Sequence, residues 1–181
     1  MGQLFPRGTL REPISGLRRA DVVVLTRSDR VADEERVEIQ SRIQAIAPDA
    51  IWVEMTHQPC ELLNASGETT PLTRLAKVPV AAFSGIGNPL GFESTLEACG
   101  CRTTAKRTFP DHCAYTAEDI RSLDDWASET DAEAVVCTHK DLVKIGLNEL
   151  GGKPLWAVVV RMKPMTETDG LERLLETLLQ S

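Results

Sequence analysis

The chain has 181 residues, 42% of them hydrophobic and 26% charged, enough apolar content for one folded domain or slightly more and too much for a disordered chain. Twenty Lys and Arg against 27 Asp and Glu leave a formal charge of −7, which argues against nucleic acid as a partner, since a basic face supplies most of that affinity. No run approaches the ~20 apolar residues of a membrane-crossing helix, and the polar start around Gln3, Pro6 and Arg7 is unlike a secretory signal. The expectation is an acidic cytoplasmic α/β protein. Its five cysteines (60, 99, 101, 113 and 137) are an odd number without zinc-site spacing, and read as buried free thiols.

Residues 2–20 are irregular and basic, with Arg7, Arg11, Arg18 and Arg19 against Glu12. Asp21-Val-Val-Val-Leu-Thr26 is a continuous apolar run suited to a strand buried on both faces. Asp33 to Ala47 predicts a helix with an apolar stripe of Val37, Ile39, Ile43 and Ile46, stopped by Pro48, and Ala50 to Met55 a second strand. Cys60–Asn64 and Glu68–Leu72 predict a hairpin around Ala65-Ser-Gly67, the best boundary in the chain. From Val78 a regular alternation follows. Strands are expected at Val78–Phe83, Cys101–Thr108, Glu133–Thr138 and Leu155–Met162. Helices are expected at Gly91–Cys99, from a Thr116 cap to Thr130 with Ile120, Leu123 and Trp126 inward, at Asp141–Leu147, and at Gly170–Leu179 with Leu171, Leu174, Leu175 and Leu178 on one face. That rhythm predicts a mostly parallel sheet in two or three layers.

In such sheets ligands lie past the carboxyl ends of the strands, on the loops that lead into helices. Three loops qualify. Phe83-Ser-Gly-Ile-Gly-Asn-Pro89 holds two glycines after a strand, so that Ser84, Gly85, Gly87 and Asn88 make either an anion-facing loop or a tight turn with positive φ. It fails as a dinucleotide fingerprint, because Leu90 stands where the third glycine belongs. Phe109-Pro-Asp-His-Cys-Ala-Tyr115 places Asp111 beside His112, a carboxylate and an imidazole suited to proton transfer near neutral pH. Cys137-Thr-His-Lys-Asp-Leu-Val-Lys144 spaces Lys140 and Lys144 at i, i+4, either to neutralise a phosphate or as a solvated helix face. Thr26-Arg-Ser-Asp29 resembles a base-recognition position or is a turn into the next helix. A phosphate loop is absent: the one near match, Gly152-Lys153, runs into Pro154 and has Leu147 where its first glycine belongs.

Six of these segments, in order, resemble the tetraacyldisaccharide 4′-kinase family, the lipid A 4′-kinases. They are Phe5-Pro-Arg-Gly-Thr-Leu-Arg-Glu-Pro13; Arg19-Ala-Asp21 with its strand; His57-Gln-Pro59; Ala82-Phe-Ser-Gly-Ile-Gly-Asn-Pro89; Phe109-Pro-Asp-His112 with Tyr115; and Thr138-His-Lys-Asp141 with Val143-Lys144. The resemblance implies a Rossmann-like C-terminal α/β domain over 77–181, a two-stranded linker over 59–76, and the C-terminal remnant of a P-loop kinase domain over 1–58. It implies a phosphotransferase that moves the ATP γ-phosphate to the 4′-hydroxyl of a lipid A disaccharide 1-phosphate, peripheral on the inner face of the cytoplasmic membrane. Asp111 and His112 fall on the family's catalytic motif, and Arg11 and Glu12 on one near the active site, so that His112, Asp111 and Glu12 are the implied catalytic residues. Arg11, Ser84, Gly85, Gly87, Asn88 and Lys140 are the implied substrate and phosphate contacts, and no protein-borne metal site is expected. Mg²⁺ and ATP are the full-length enzyme's cofactor and donor, and neither is expected to bind tightly to this chain alone, which lacks the P-loop and so is expected to be inactive by itself. The alternative is a non-catalytic α/β module that binds a phosphorylated glycolipid or a partner protein.

Overall fold

The computed structural model describes residues 10–180; Arg7 and the Phe5–Thr9 start of the first motif lie outside them. In chain order the elements are β1 (Val22–Thr26), α1 (Asp33–Gln44), β2 (Ile51–Leu63), β3 (Thr69–Thr70), β4 (Pro79–Ser84), α2 (Pro89–Ala98), β5 (Arg102–Thr108), α3 (Ala117–Glu129), β6 (Ala134–Thr138), α4 (His139–Ile145), β7 (Glu149–Leu150), β8 (Lys153–Pro164) and α5 (Asp169–Leu179). Two compact units result. One holds the chain up to Gln58 and from Met162 onward; the other holds Pro59–Arg161. The division passes through β2 and β8, and it groups α5 with β1 and α1. The expected partition instead kept 77–181 together.

In the first unit β1 pairs with β2 in parallel, Val22 opposite Ile51 through Thr26 opposite Met55. Glu54 is nearly buried there and is matched by charge and hydrogen bonds: Arg36 lies 3.3 Å away, and Trp52 Nε1 donates to its carboxylate at 3.3 Å. The expected α1 stripe is only partly realised. No α1 residue is buried and Val37 is 61% exposed. Ile39, Ile43 and Ile46 follow one helical face, whereas Val37 lies two residues before Ile39 and points away from it. Two-sided burial of β1 is not seen either, since Val24 is 39% exposed. On α5 the face of Leu171, Leu174, Leu175 and Leu178 has no buried member.

The second unit carries the parallel order β8-β6-β4-β5. Successive residues of its central strands feed opposite faces, as the period of two requires. On one side Phe83, Val135, Cys137, Leu155 and Ala157 pack with Leu123 and Ala127 of α3 and Leu142 and Ile145 of α4. On the other, Val80, Ala82, Val136, Trp156 and Val158 pack with Phe92 and Leu96 of α2. The unit is a three-layer α/β sandwich. Ile120, Leu123 and Trp126 face inward on α3 as expected.

Local chemistry adjusts several boundaries. β2 runs unbroken through Pro59 to Leu63, and its hairpin partner is only Thr69–Thr70. Pro71, with no N–H to continue a ladder, leads instead into a 3-10 turn at Leu72–Leu75. α2 starts at Pro89 because Asn88 caps it, its side chain accepting from the Gly91 N–H at 3.0 Å. α4 likewise starts two residues before the expected Asp141, capped by Thr138. The cysteines are not uniformly buried: Cys137 is, Cys60 is exposed, and the other three are intermediate.

Candidate functional site

The loops after β4 and β5 and the first turn of α4 meet within the second unit at the carboxyl ends of the parallel strands. The Ser84 carbonyl accepts the Phe109 N–H at 2.8 Å, tying the first two loops together as they leave the sheet. Phe83, Phe109 and Tyr115 stack edge to face, with centroid separations of 6.5, 6.1 and 5.1 Å. Such contacts are worth about 0.5–1.5 kcal/mol each beyond burial, and they give the turn at 110–115 a rigid floor.

Asp111 and His112 stand on that turn. The Asp111 carboxylate accepts the His112 N–H at 2.9 Å, and His112 Nε2 lies 3.7 Å from its other oxygen. The imidazole is open to solvent, its side chain 80% exposed. Lys140, on the first turn of α4, donates to Asp111 at 3.3 Å. Partial desolvation pushes the Asp111 carboxyl up, but the Lys140 hydrogen bond and the positive charges of His112 and Lys140 outweigh it and hold the group below its ordinary value. Both His112 (φ 62°) and Tyr115 (φ 35°) sit in the left-handed region. For side-chain-bearing residues that costs of order 1–3 kcal/mol each, and two such residues within four positions mark a turn held by its surroundings.

Asp141 does much of that holding. It is fully buried, and its carboxylate accepts from Tyr115 Oη at 3.0 Å, Gly85 N at 3.1 Å and Thr138 Oγ1 at 2.6 Å. Three donors offset the cost of burying the charge. Burial first, and the Asp141 charge second, push the Tyr115 hydroxyl far up, so it stays protonated and donates. The same two causes raise Cys137 behind it.

The glycines of the first loop are there for space. Neither Gly85 nor Gly87 has positive φ. A Cβ on Gly85 would lie 2.8 Å from Tyr115 Oη and 3.1 Å from Asp141 Oδ1, and one on Gly87 would lie 3.0 Å from Asp111 Oδ2. The expected phosphate contacts therefore divide. The Gly85 N–H is committed to Asp141, Ser84 is buried at the strand end, and Asn88 is a helix cap. Lys140 is on Asp111. Lys144 donates to the Cys113 carbonyl at 2.5 Å and lies 5.9 Å from the Tyr115 ring centre, so it braces the turn. Arg11 and Glu12 belong to the other unit, where Glu12 pairs with Arg19.

Among the described residues, the near match to a phosphate loop is built into a helix end. Lys153, of the near-match Gly152-Lys153, donates to the Ala127 and Thr130 carbonyls at 2.5 Å and to Thr130 Oγ1 at 3.1 Å, which caps the end of α3. Among the described residues no three His, Cys, Asp or Glu side chains group as a metal site, and no helix is long and apolar enough to cross a membrane.

Parallel strands that open their loops at one edge, with an Asp–His pair and a lysine gathered there, define an α/β protein with a strand-end site. Over residues 1–180 the sequence matches the family model described as tetraacyldisaccharide-1-P 4′-kinase, and the chain belongs to that family. The tetraacyldisaccharide 4′-kinase of Elusimicrobium minutum is 37% identical over 165 residues, which is 90% of this chain and 43% of that protein. The one from Anaeromyxobacter dehalogenans is 40% identical over 177 residues, 94% of this chain and 46% of that protein. The crystal structure of LpxK from Aquifex aeolicus in complex with ATP superposes with a TM-score of 0.66 at 26% identity, covering 97% of this chain and 48% of that one. The chain spans about half the length of the relatives it matches.

Asp141 was legible in the sequence as a member of the Thr138-His-Lys-Asp141 segment but not as a site residue. Its signal was the Thr138-x-x-Asp141 spacing, which reads as an ordinary helix cap and gives no sign of contacts to Gly85 and Tyr115.

Proposed function

We propose that this chain carries the acceptor-activating half of a lipid A disaccharide 4′-kinase. The observation that carries the reading is the Asp111–His112 pair, presented on the turn after β5 and braced by Lys140, on a motif within the span matched to the kinase family. The acceptor in this reading is the 4′-hydroxyl of a tetraacyldisaccharide 1-phosphate. The exposed His112 imidazole accepts the hydroxyl proton, and the Asp111 carboxylate orients the ring and stabilises the imidazolium that forms. Lys140 braces the Asp111 carboxylate for that task.

ATP with Mg²⁺ supplies the transferred phosphoryl group in this reading. The residues that would hold the triphosphate are assigned to the further length found in the relatives, since Lys153 is committed to capping α3. Arg11 and Glu12 are proposed as contacts of the assembled site. The substrate is a lipid, and residues 7–30 carry a net +3, so the inner face of the cytoplasmic membrane is the proposed place of action, each positive charge near an anionic surface contributing roughly 1 kcal/mol.

The test completes the enzyme. The chain is fused behind, or mixed with, the P-loop region of a relative, and phosphoryl transfer from ATP to tetraacyldisaccharide 1-phosphate is measured. Transfer is expected, and His112→Ala should lower it by roughly 10²–10⁴, the usual share of a general base. Transfer that survives His112→Ala unchanged, or saturable lipid binding with no transfer at all, would sink the reading.

A further inference from the structure

Asp141 is the third residue of α4, and one of its contacts, to Thr138, is what any helix cap would make. The other two are not. Gly85 is 56 residues away in the chain and Tyr115 is 26 away, and each comes from a different loop of the candidate site. The carboxylate is wholly enclosed, and these donors satisfy its oxygens in the interior.

The turn that presents Asp111 and His112 is gripped by α4 at successive points. Lys140 reaches Asp111, Asp141 takes the Tyr115 hydroxyl, and Lys144 donates to the Cys113 carbonyl. Lys140 and Lys144 act from the surface. Asp141 acts from inside, on a tyrosine held at φ 35°. It also fixes Gly85, two residues before Gly87, the position that faces Asp111 on the opposite side.

We propose that Asp141 is a positioning residue for the Asp111–His112 pair: its buried carboxylate clamps Tyr115 and Gly85 together and so sets how the turn between Pro110 and Tyr115 offers the pair to an acceptor hydroxyl. The inference rests on the reading of Asp111 and His112 as the proton-handling pair, and it goes beyond that reading in naming what holds them. Asp141 itself touches no substrate. Its effect passes through Tyr115 to the turn.

The experiment uses the full 181-residue chain and follows the Asp111 carboxyl and the His112 ring by NMR through a pH titration, with folding checked by circular dichroism. Tyr115→Phe keeps the ring and removes only the hydroxyl. It is expected to stay folded, to move the Asp111 midpoint upward as the turn loosens from Lys140, and to shift the His112 ring signals. Asp141→Asn should move both in the same direction. Thr138→Ala removes the helix cap and one donor to Asp141 but leaves the Gly85 and Tyr115 contacts, and should move both signals less than Tyr115→Phe does. A folded Tyr115→Phe or Asp141→Asn variant whose Asp111 and His112 signals overlay those of the parent would overturn the proposal. So would a Thr138→Ala variant that moves them equally, since general loosening would then explain the effect. If Asp141→Asn does not fold, Tyr115→Phe decides. None of these readouts needs turnover. Kinase activity that survives His112→Ala would therefore remove the proton-handling reading and leave the positioning result standing.

Discussion

Lys140 Nζ lies 3.3 Å from Asp111 Oδ1 and joins the first turn of α4 to the turn after β5. The direction of the Asp111 shift gives the pH dependence. Desolvation raises the carboxyl, but the Lys140 hydrogen bond and the nearby positive charges lower it more, so its folded value is depressed. A depressed carboxyl stabilises the fold above its unfolded value, near pH 3.9, and that contribution fades as pH falls through the folded value. Lys140→Met should therefore be less stable than the parent at pH 7, with the gap closing below about pH 4. Urea unfolding at pH 7 and pH 3 measures both. Equal gaps at the two values would show that Lys140 acts through packing of its stem.

Gly85 and Gly87 should respond differently to the same added methyl group. At Gly85 the new Cβ meets Tyr115 Oη at 2.8 Å and Asp141 Oδ1 at 3.1 Å, both in the buried clamp. Gly85→Ala should cost about 1–3 kcal/mol, the usual range for overpacking a filled site. At Gly87 the methyl group meets only the mobile end of the Asp111 side chain, at 3.0 Å. Gly87→Ala should leave the unfolding midpoint nearly unchanged and displace the Asp111 carboxylate from Lys140. Denaturant titration separates the two, and matching losses would contradict the division of roles drawn here.

Local patterns carried most of the second unit. The Thr116 cap, the inward Ile120, Leu123 and Trp126, and the strands that alternate with helices each depend on near neighbours, and each is found within two residues of where the pattern puts it. Val37 and Val24 show the limit of that reasoning. Whether an apolar residue is covered depends on which element lies over it, and helical or strand period does not state that. Likewise Asp111 and His112 are adjacent in sequence and so were visible as a pair, whereas the contacts of Asp141 span 26 and 56 residues. The grouping of 162–181 with the first unit is non-local in the same way: the Met165 N–H donates to the Glu54 carbonyl at 2.8 Å, across more than a hundred residues.

The capping box at the start of α3 is a local device with a measurable size. Thr116 Oγ1 accepts the Asp119 N–H at 3.1 Å, and the Asp119 carboxylate accepts the Thr116 N–H at 2.8 Å and its hydroxyl at 2.7 Å. Thr116→Ala should lower stability by about 1 kcal/mol. The backbone and hydroxyl of Thr116 hold the Asp119 carboxyl below its ordinary value, so this contribution too belongs to neutral pH and is lost in acid. Thermal unfolding of Thr116→Ala and Asp119→Asn at pH 7 and pH 3 should show both deficits shrinking at the lower value. A deficit that stays constant would assign the loss to helix propensity.

Four of the five thiols should react in an order set by burial and charge. Burial first, and the neighbouring Cys101 second, push the Cys99 thiol up to about 11. Against an ordinary thiol near 9 that leaves roughly a hundredfold less thiolate at pH 8, and thiolate is the reacting form. Cys101 is raised by burial as well, and Cys137 is raised and fully enclosed. Cys60 is exposed on β2. Iodoacetamide at pH 8, followed by peptide mapping over time, should modify Cys60 first, Cys99 and Cys101 slowly, and Cys137 only when the chain is unfolded. Raising the pH to 10 should speed Cys99 steeply, because the thiolate fraction of a thiol near 11 is still rising there. Early labelling of Cys137 in the folded chain would mean that the layer formed by Leu142, Leu155 and Tyr115 opens on the timescale of the reaction, and with it the floor beneath the Asp111–His112 turn.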